Sequence, residues 1–233
     1  MKIKISSKVT EKYPELEVGV VVVKNLDNKK DSPEIQQLFR QAEKEIRKKV
    51  DSERISEMPV IAKWRQAYKS FGAKPRYFRS SVESLVRRVL KKELPAINPI
   101  VDIYNYISIK YLMTVGGEDV DKIEGDLILD FSNGQEEFVA IGSIENEPPM
   151  EGEIVYKDDK GVICRCWNWR EGDRTKLTEE TKDAVVVIEN LDSDESQKLN
   201  EALEETKVLL EKYCGASCEI AILNKDNLEK EIN

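Results

Sequence analysis

Four consecutive valines set the first constraint. The stretch "ELEVGVVVVKNLDN" (15–28) is a β-branched run closed by a turn signal, a pattern that suits a buried strand. A second stretch, "DAVVVIENLDS" (183–193), has the same texture. Helical spacing follows each of them. In "SPEIQQLFRQAEKEIRKKV" (32–50), Pro33 marks a helix start and Ile35, Leu38, Phe39, Ala42 and Ile46 share one face. In 194–215, Leu199, Leu203, Val208, Leu209 and Leu210 supply apolar positions and Gly215 a stop. "CEIAILN" (218–224) reads as a last strand. Two strand-then-helix units are too few for a repeat architecture; they equally suit neighbouring strands of one sheet.

The middle of the chain reads as three helices. "MPVIAKWRQAYKSFGAKP" (58–75) is closed by Gly72 and Pro75, and "PAINPIVDIYNYISIKYLM" (95–113) is entered through Pro99. Between them lies "RSSVESLVRRVLKK" (79–92), where Ser80 and Glu83 fit a capping box and Val82, Leu85, Val86 and Val89 form a buried stripe. From Gly116 onward the texture changes to short strands and turns: "DLILDF", "EEFVAI" and "GEIVYKDDKGVICRCWNW", with a hairpin turn at 158–161. The amino terminus alternates like a strand. The whole reads as α+β, one domain over 1–233.

Charge is distributed unevenly. The chain of 233 residues has a formal net charge of −8, yet residues 61–92 hold ten basic side chains against Glu83, a local +9 that leaves −17 elsewhere. Such asymmetry suits either a phosphate-facing surface or a solvated helical face with cations at its carboxyl end. No apolar run approaches the roughly 20 residues of a membrane span, and no signal-peptide block precedes the first strand, so the expectation is a cytoplasmic protein.

Histidine is absent altogether. That excludes Ser-His and Cys-His nucleophile pairs and any imidazole base. Proton transfer would fall to a carboxylate, a lysine, a hydroxyl or the substrate itself. The cysteines, Cys164, Cys166, Cys214 and Cys218, do not have the usual metal-knuckle spacing and read as reduced structural thiols. Asp119, Asp121 and Glu124 read as a turn cap. No metal or other cofactor is expected.

Four motifs occur in order: "WRQAYKSFGAKPRYFRSSVESLVRRVL", "LPAINPIVDIYNYISI", "GGEDVDKIEGDLILDF" and "WNWREGDRTKLTEETK". Together they resemble a free-standing B3/B4 domain, the editing module within the β subunit of bacterial phenylalanyl-tRNA synthetase. The resemblance implies a three-layer α+β fold with a β-sandwich-like core and flanking helices. It also implies binding of tRNA or aminoacyl-tRNA and editing in trans. Asn105 keeps an asparagine of the family's pocket, whereas Pro95 stands where an arginine would be and Gly116 where a histidine would be. The pocket glutamate is matched by Glu171, with Asp173 the alternative.

From these motifs the candidate catalytic set is Asn105, Gly116, Gly117 and Glu171. The glycine N–H groups would hold an oxyanion or the adenosine end, or else merely form a turn between helix and strand. Trp167 and Trp169, on one side of a strand with Asn168 and Arg170 on the other, would stack on substrate or pack in the core, with Asp173 nearby. Arg65, Lys69, Lys74, Arg79, Arg87 and Arg88 are the candidate tRNA contacts. The leading function is a histidine-free, substrate-assisted aminoacyl-tRNA deacylase. The alternatives are a non-catalytic tRNA-binding module and a binder of an amino acid or other small molecule. DNA and membrane partners are not expected; the oligomeric state is left open.

Overall fold

A computed structural model describes residues 1–29 and 32–232. The chain opens with β1 (Lys2–Ile5), α1 (Ser7–Lys12), β2 (Glu17–Lys24) and α2 (Pro33–Lys49). It continues through α3 (Pro59–Ser70), α4 (Ser81–Val89), α5 (Pro99–Tyr111), β3 (Thr114–Asp119) and β4 (Leu127–Phe131). A hairpin of β5 (Ile154–Lys157) and β6 (Val162–Arg165) precedes the short β7 (Arg170–Glu171). Last come β8 (Ala184–Asn190), α6 (Ser196–Cys214), β9 (Ser217–Leu223) and β10 (Glu229–Glu231).

The two valine runs are indeed neighbours. β2 lies between β8 and β9, antiparallel to both, in a four-stranded sheet ordered β3-β8-β2-β9. Every residue of β8 is buried, which requires cover on both faces. On one face α6 comes so close that a Cβ at Gly19 would lie 2.8 Å from both Cδ atoms of Leu203. A side chain there would push the helix off the sheet. On the other face lies the six-stranded sheet β10-β1-β4-β5-β6-β7; Tyr156 of β5 reaches across to donate to Glu189 of β8 at 2.8 Å. The result is a mixed α+β fold of two sheets with helices.

Local signals place the helices well. Ser32 and Asn98 accept from the N–H groups of Ile35 and Val101, with Pro33 and Pro99 in the first turns of α2 and α5. Gly215 ends α6 in the left-handed region at φ 62°. Half of the expected capping box forms. Ser80 Oγ accepts from Glu83 N at 3.4 Å, but the Glu83 carboxylate turns instead to arginines.

Three expectations are corrected. "EEFVAI" is no strand; Val139 and Ala140 make only isolated bridges, to Asn146 and Gly172. Gly116 and Gly117 lie not in a turn but inside β3, paired with Val187 and Val186. Trp167 and Trp169 do not alternate along a strand, because Cys166 (φ 44°) and Trp167 (φ 66°) are left-handed and turn the chain between β6 and β7.

Candidate functional site

Where the two sheets face each other, their side chains leave a small cavity of about 30 Å³. β3 contributes Val115, Gly116, Gly117 and Glu118, and β8 contributes Val187 and Glu189. The opposite sheet supplies Leu127, Tyr156, Cys164 and Glu171, while Ser81 opens α4 and Trp167 and Asn168 come from the turn after β6. Ser81, Gly116, Asn168 and Glu171 are the partly exposed polar or glycine members, so they form its mouth.

The cavity is acidic. Glu118 and Glu171 hydrogen-bond to each other, so a proton is shared between them. Burial, then the neighbouring Glu171 charge, pushes the Glu118 carboxyl well above its ordinary range. Burial also raises Glu171. The pair has neutral neighbours as well, the Thr175 hydroxyl beside Glu118 and the Cys164 thiol beside Glu171. Glu189 is better satisfied, accepting from Tyr156 Oη at 2.8 Å and Asn168 Nδ2 at 2.7 Å. Burial still pushes it up to about 7. The Trp167 N–H also approaches Glu189, and Ser81 Oγ faces the same space without a partner.

Gly116 sits against Glu171, since a Cβ there would meet Glu171 Oε1 at 3.1 Å. β3 is an edge strand. The Asp119 N–H turns outward to Thr175 O at 2.8 Å, so strand alternation aims the Gly117 N–H outward too and the Gly116 N–H at β8.

The cavity thus gathers Gly116, Gly117, Glu171 and Trp167 from among the residues singled out in the sequence. Asn105 is half-buried on α5 and is not among the cavity-lining residues. Trp167 is fully buried, edge-on to Trp64 at 5.0 Å and Tyr13 at 4.9 Å, so its ring belongs to the core. Trp169 packs against Phe78 at 4.7 Å. Asp173 pairs with Lys176 at 2.7 Å and does not line the cavity, whereas Glu171 does. The acidic turn is a cap: Asp119 accepts from Asp121 N and from Thr181 Oγ1. All four cysteines are buried free thiols.

Sequence reasoning missed Glu118 and Glu189. The second carried a readable signal, a carboxylate inside an otherwise apolar β-branched run that must find partners when buried. Glu118 was hidden by the exposed-looking acidic cluster that follows it.

The basic stretch also differs from expectation. Glu83, wholly buried, accepts from Arg65 at 2.7 and 2.9 Å and from Arg87 at 2.8 Å, with Arg79 at 3.8 Å. These arginines therefore serve the fold, because a buried carboxylate requires paired cations. Lys69, Lys74 and Arg88 are exposed and make no ion pair among the described residues.

This is a two-sheet α+β domain with a carboxylate-lined cavity between its sheets. The family model for the B3/4 domain matches residues 63–215, more than half of the chain, and the chain belongs to that family. It is 28% identical over 110 residues to the phenylalanine–tRNA ligase beta subunit of Fusobacterium nucleatum subsp. nucleatum, a match covering 47% of this chain and 14% of that protein. It is also similar to the crystal structure of an N-terminal fragment of the phenylalanyl-tRNA synthetase β subunit from Pyrococcus horikoshii. There the TM-score is 0.49 at 14% identity, over 93% of this chain and 49% of that one. The chain thus spans only a small part of the curated relative's length. Among the described residues no helix is long and apolar enough to cross a membrane.

Proposed function

We propose that this B3/4 domain binds aminoacyl-tRNA and hydrolyses the ester of a mischarged tRNA in trans. The observation that supports the reading is the cavity that joins Gly116, Gly117 and Glu171, with the Glu118–Glu171 carboxyl pair and the unpartnered Ser81 hydroxyl around one space. An aminoacyl ester is already activated, so positioning a water and excluding bulk solvent supplies much of the catalysis. The terminal ribose hydroxyl of the tRNA serves as the base that histidine would otherwise provide. The Gly117 N–H, on the outer edge of β3, is the backbone donor placed to steady a developing oxyanion. Glu171, at the mouth, orients the water or the substrate's amino group.

A panel of mischarged tRNAs, tyrosine on phenylalanine tRNA included, tests this. Turnover of at least one member is expected, falling at least about tenfold in Glu171→Gln. No turnover on any member rejects the catalytic reading. The position of Asn105 outside the cavity favours the second reading in that event, a tRNA-binding module without chemistry.

For tRNA contact the exposed Lys69, Lys74, Arg79 and Arg88 lead, with Arg65 and Arg87 behind them because Glu83 engages both. Binding to phosphates releases counterions, so affinity should fall with salt. Replacing Lys74 and Arg88 together by alanine is expected to lower the slope of log affinity against log salt by about 2, one for each cation removed from a phosphate. An unchanged slope would remove these two side chains from the interface.

A further inference from the structure

Backbone alternation can be followed across the four-stranded sheet from its β3 edge. The Asp119 N–H points away from β8, so Gly116 is bonded to Val187, Val186 to Val21, and Val20 to Ala221. One more step leaves Cys218, Ile220 and Ile222 of β9 with their N–H and C=O groups outside the sheet. Asn227 Nδ2, which donates to Ile222 O at 2.9 Å, fits this phase. The other outward groups of these residues have no partner among the described residues.

An open strand edge recruits another strand unless something prevents it. The other sheet edges are blunted. Asp119 of β3 is bonded to Thr175, and β7 is met by Ile141, whose N–H donates to Glu171 O at 3.1 Å. β10 is only Glu229, Lys230 and Glu231, so brevity and charge protect it. β9 has seven residues, with no proline, lysine or arginine and no break in its pairing with β2. Cys218 faces α6, since Glu211 and Lys207 of that helix reach its thiol. By alternation Ile220 and Ile222 face the same way, and both remain partly exposed.

We infer that β9 is a dimerisation edge, which takes β9 of a second copy antiparallel with Ile220 opposite Ile220. In that register Ile220 exchanges both backbone bonds with its counterpart, and Cys218 exchanges both with Ile222 of the second copy. Every outward group is satisfied, because Ile222 O has a second lone pair beside the one that Asn227 uses. On the α6 face the seam is apolar, lined by Cys218, Ile220 and Ile222 of both copies. On the other face Glu219 lies opposite Ala221 of the second copy and is neutralised by its own Lys230 at 3.0 Å. An axis through Glu219 would set two glutamates directly opposite each other. An axis through Ala221 would leave Cys218 unpaired. The edge is therefore its own complement in one register, as an isologous contact requires. The inference goes beyond the proposed function and does not depend on it. β9 and β3 are opposite edges of one sheet, so the cavity beside each β3 stays at the far ends of the joined sheet.

Sedimentation equilibrium over a series of protein concentrations tests this. The wild-type protein is expected to show a monomer–dimer equilibrium with no larger species, because a twofold contact closes on itself. Ile220→Pro removes a donor that makes no bond within the monomer, so it should abolish the dimer while circular dichroism stays native. Two substitutions read the register. Ala221→Glu sets like charges opposite each other and should raise the dimer dissociation constant at least about threefold, whereas Ala221→Lys should lower it. If Ile220→Pro loses its fold, the opposed effects of the Ala221 pair still decide. A monomer at every concentration overturns the inference and leaves the edge to a strand of another protein. A dimer that survives Ile220→Pro, or on which the two Ala221 substitutions act alike, is built elsewhere and overturns it too.

Discussion

Arg165→Met is expected to destabilise this domain by about 3–5 kcal/mol, the cost of leaving one partner of a buried ion pair behind. Arg165 donates to Glu153 through Nε at 3.1 Å and Nη2 at 2.9 Å, and Glu153 is wholly buried. The same carboxylate accepts from Cys166 N at 2.7 Å and Met150 N at 3.0 Å. It thereby fastens the loop before β5 to the left-handed turn that carries Trp167 and Asn168 into the cavity. Methionine fills much of the arginine's volume, but Glu153 is left with backbone donors alone. In a chain of 233 residues, 1 kcal/mol moves the melting temperature by about 2–4 °C, so a fall of about 6–20 °C is expected.

A companion variant separates charge from packing. Adding Glu153→Gln to Arg165→Met removes the stranded charge yet keeps a side-chain acceptor for the Cys166 N–H, so the double variant should melt above the single one. A single variant within about 1 kcal/mol of wild type, below the range for a broken buried pair, would show that the pair contributes little. The turn after β6 would then be held by its backbone hydrogen bonds and by the packing of Trp167.

How much of this was legible beforehand follows sequence distance. The valine strands, the helices begun by Pro33 and Pro99, the stop at Gly215 and the β5–β6 hairpin all rest on neighbouring residues, and all were readable. What was lost depends on partners far along the chain. Gly116–Gly117 resembles a turn until its pairing with Val186 and Val187, some seventy positions away, makes it strand. "CRCWNW" alternates like a strand until two left-handed residues bend it, for which the sequence offers no glycine as a cue.

The basic stretch teaches the same lesson about function. Its surplus of charge is only partly a surface, because Arg65, eighteen positions upstream, and Arg87 return to Glu83 while Lys69, Lys74 and Arg88 stay exposed. The lone acid among ten bases is better read as an anchor for the three arginines nearest it, Arg65, Arg79 and Arg87, than as an exception to them. For the cavity, the resemblance brought forward Gly116 and Glu171, whereas Glu118 and Glu189 required the sheets to be placed face to face.

Glu189 yields the second large effect, a dependence of stability on pH. Its carboxyl is held at about 7 in the folded protein against an ordinary 4.5, chiefly by burial, which outweighs the hydrogen bonds from Tyr156 and Asn168. Below pH 4.5 it is protonated in folded and unfolded chains alike. As pH rises from 4.5 towards 7, the unfolded chain ionises freely while the folded one does not, and the balance shifts towards unfolding. Stability contributed by the raised carboxyl is thus present in acid and lost on the way to neutrality, amounting to about 3 kcal/mol. Glu118, raised by burial and by the Glu171 charge, and Glu171, raised by burial, act in the same direction. Carboxylates held low by cations, such as Glu205 beside Lys110 and Asp158 beside Arg174, act oppositely but in the acid range below their unfolded values.

Glu189→Gln isolates the contribution. The amide cannot accept at both positions, so the variant's stability shifts at every pH by the loss of one hydrogen bond. The informative quantity is therefore the slope. Denaturant unfolding of both proteins from pH 4 to pH 8 should show the variant gaining on wild type by about 3 kcal/mol across that range. A difference that stays flat would mean that Glu189 ionises as freely inside the fold as outside it. Bulk water would then fill the space between the sheets, and the carboxylate-lined cavity would not give the partial exclusion of solvent on which the proposed chemistry depends.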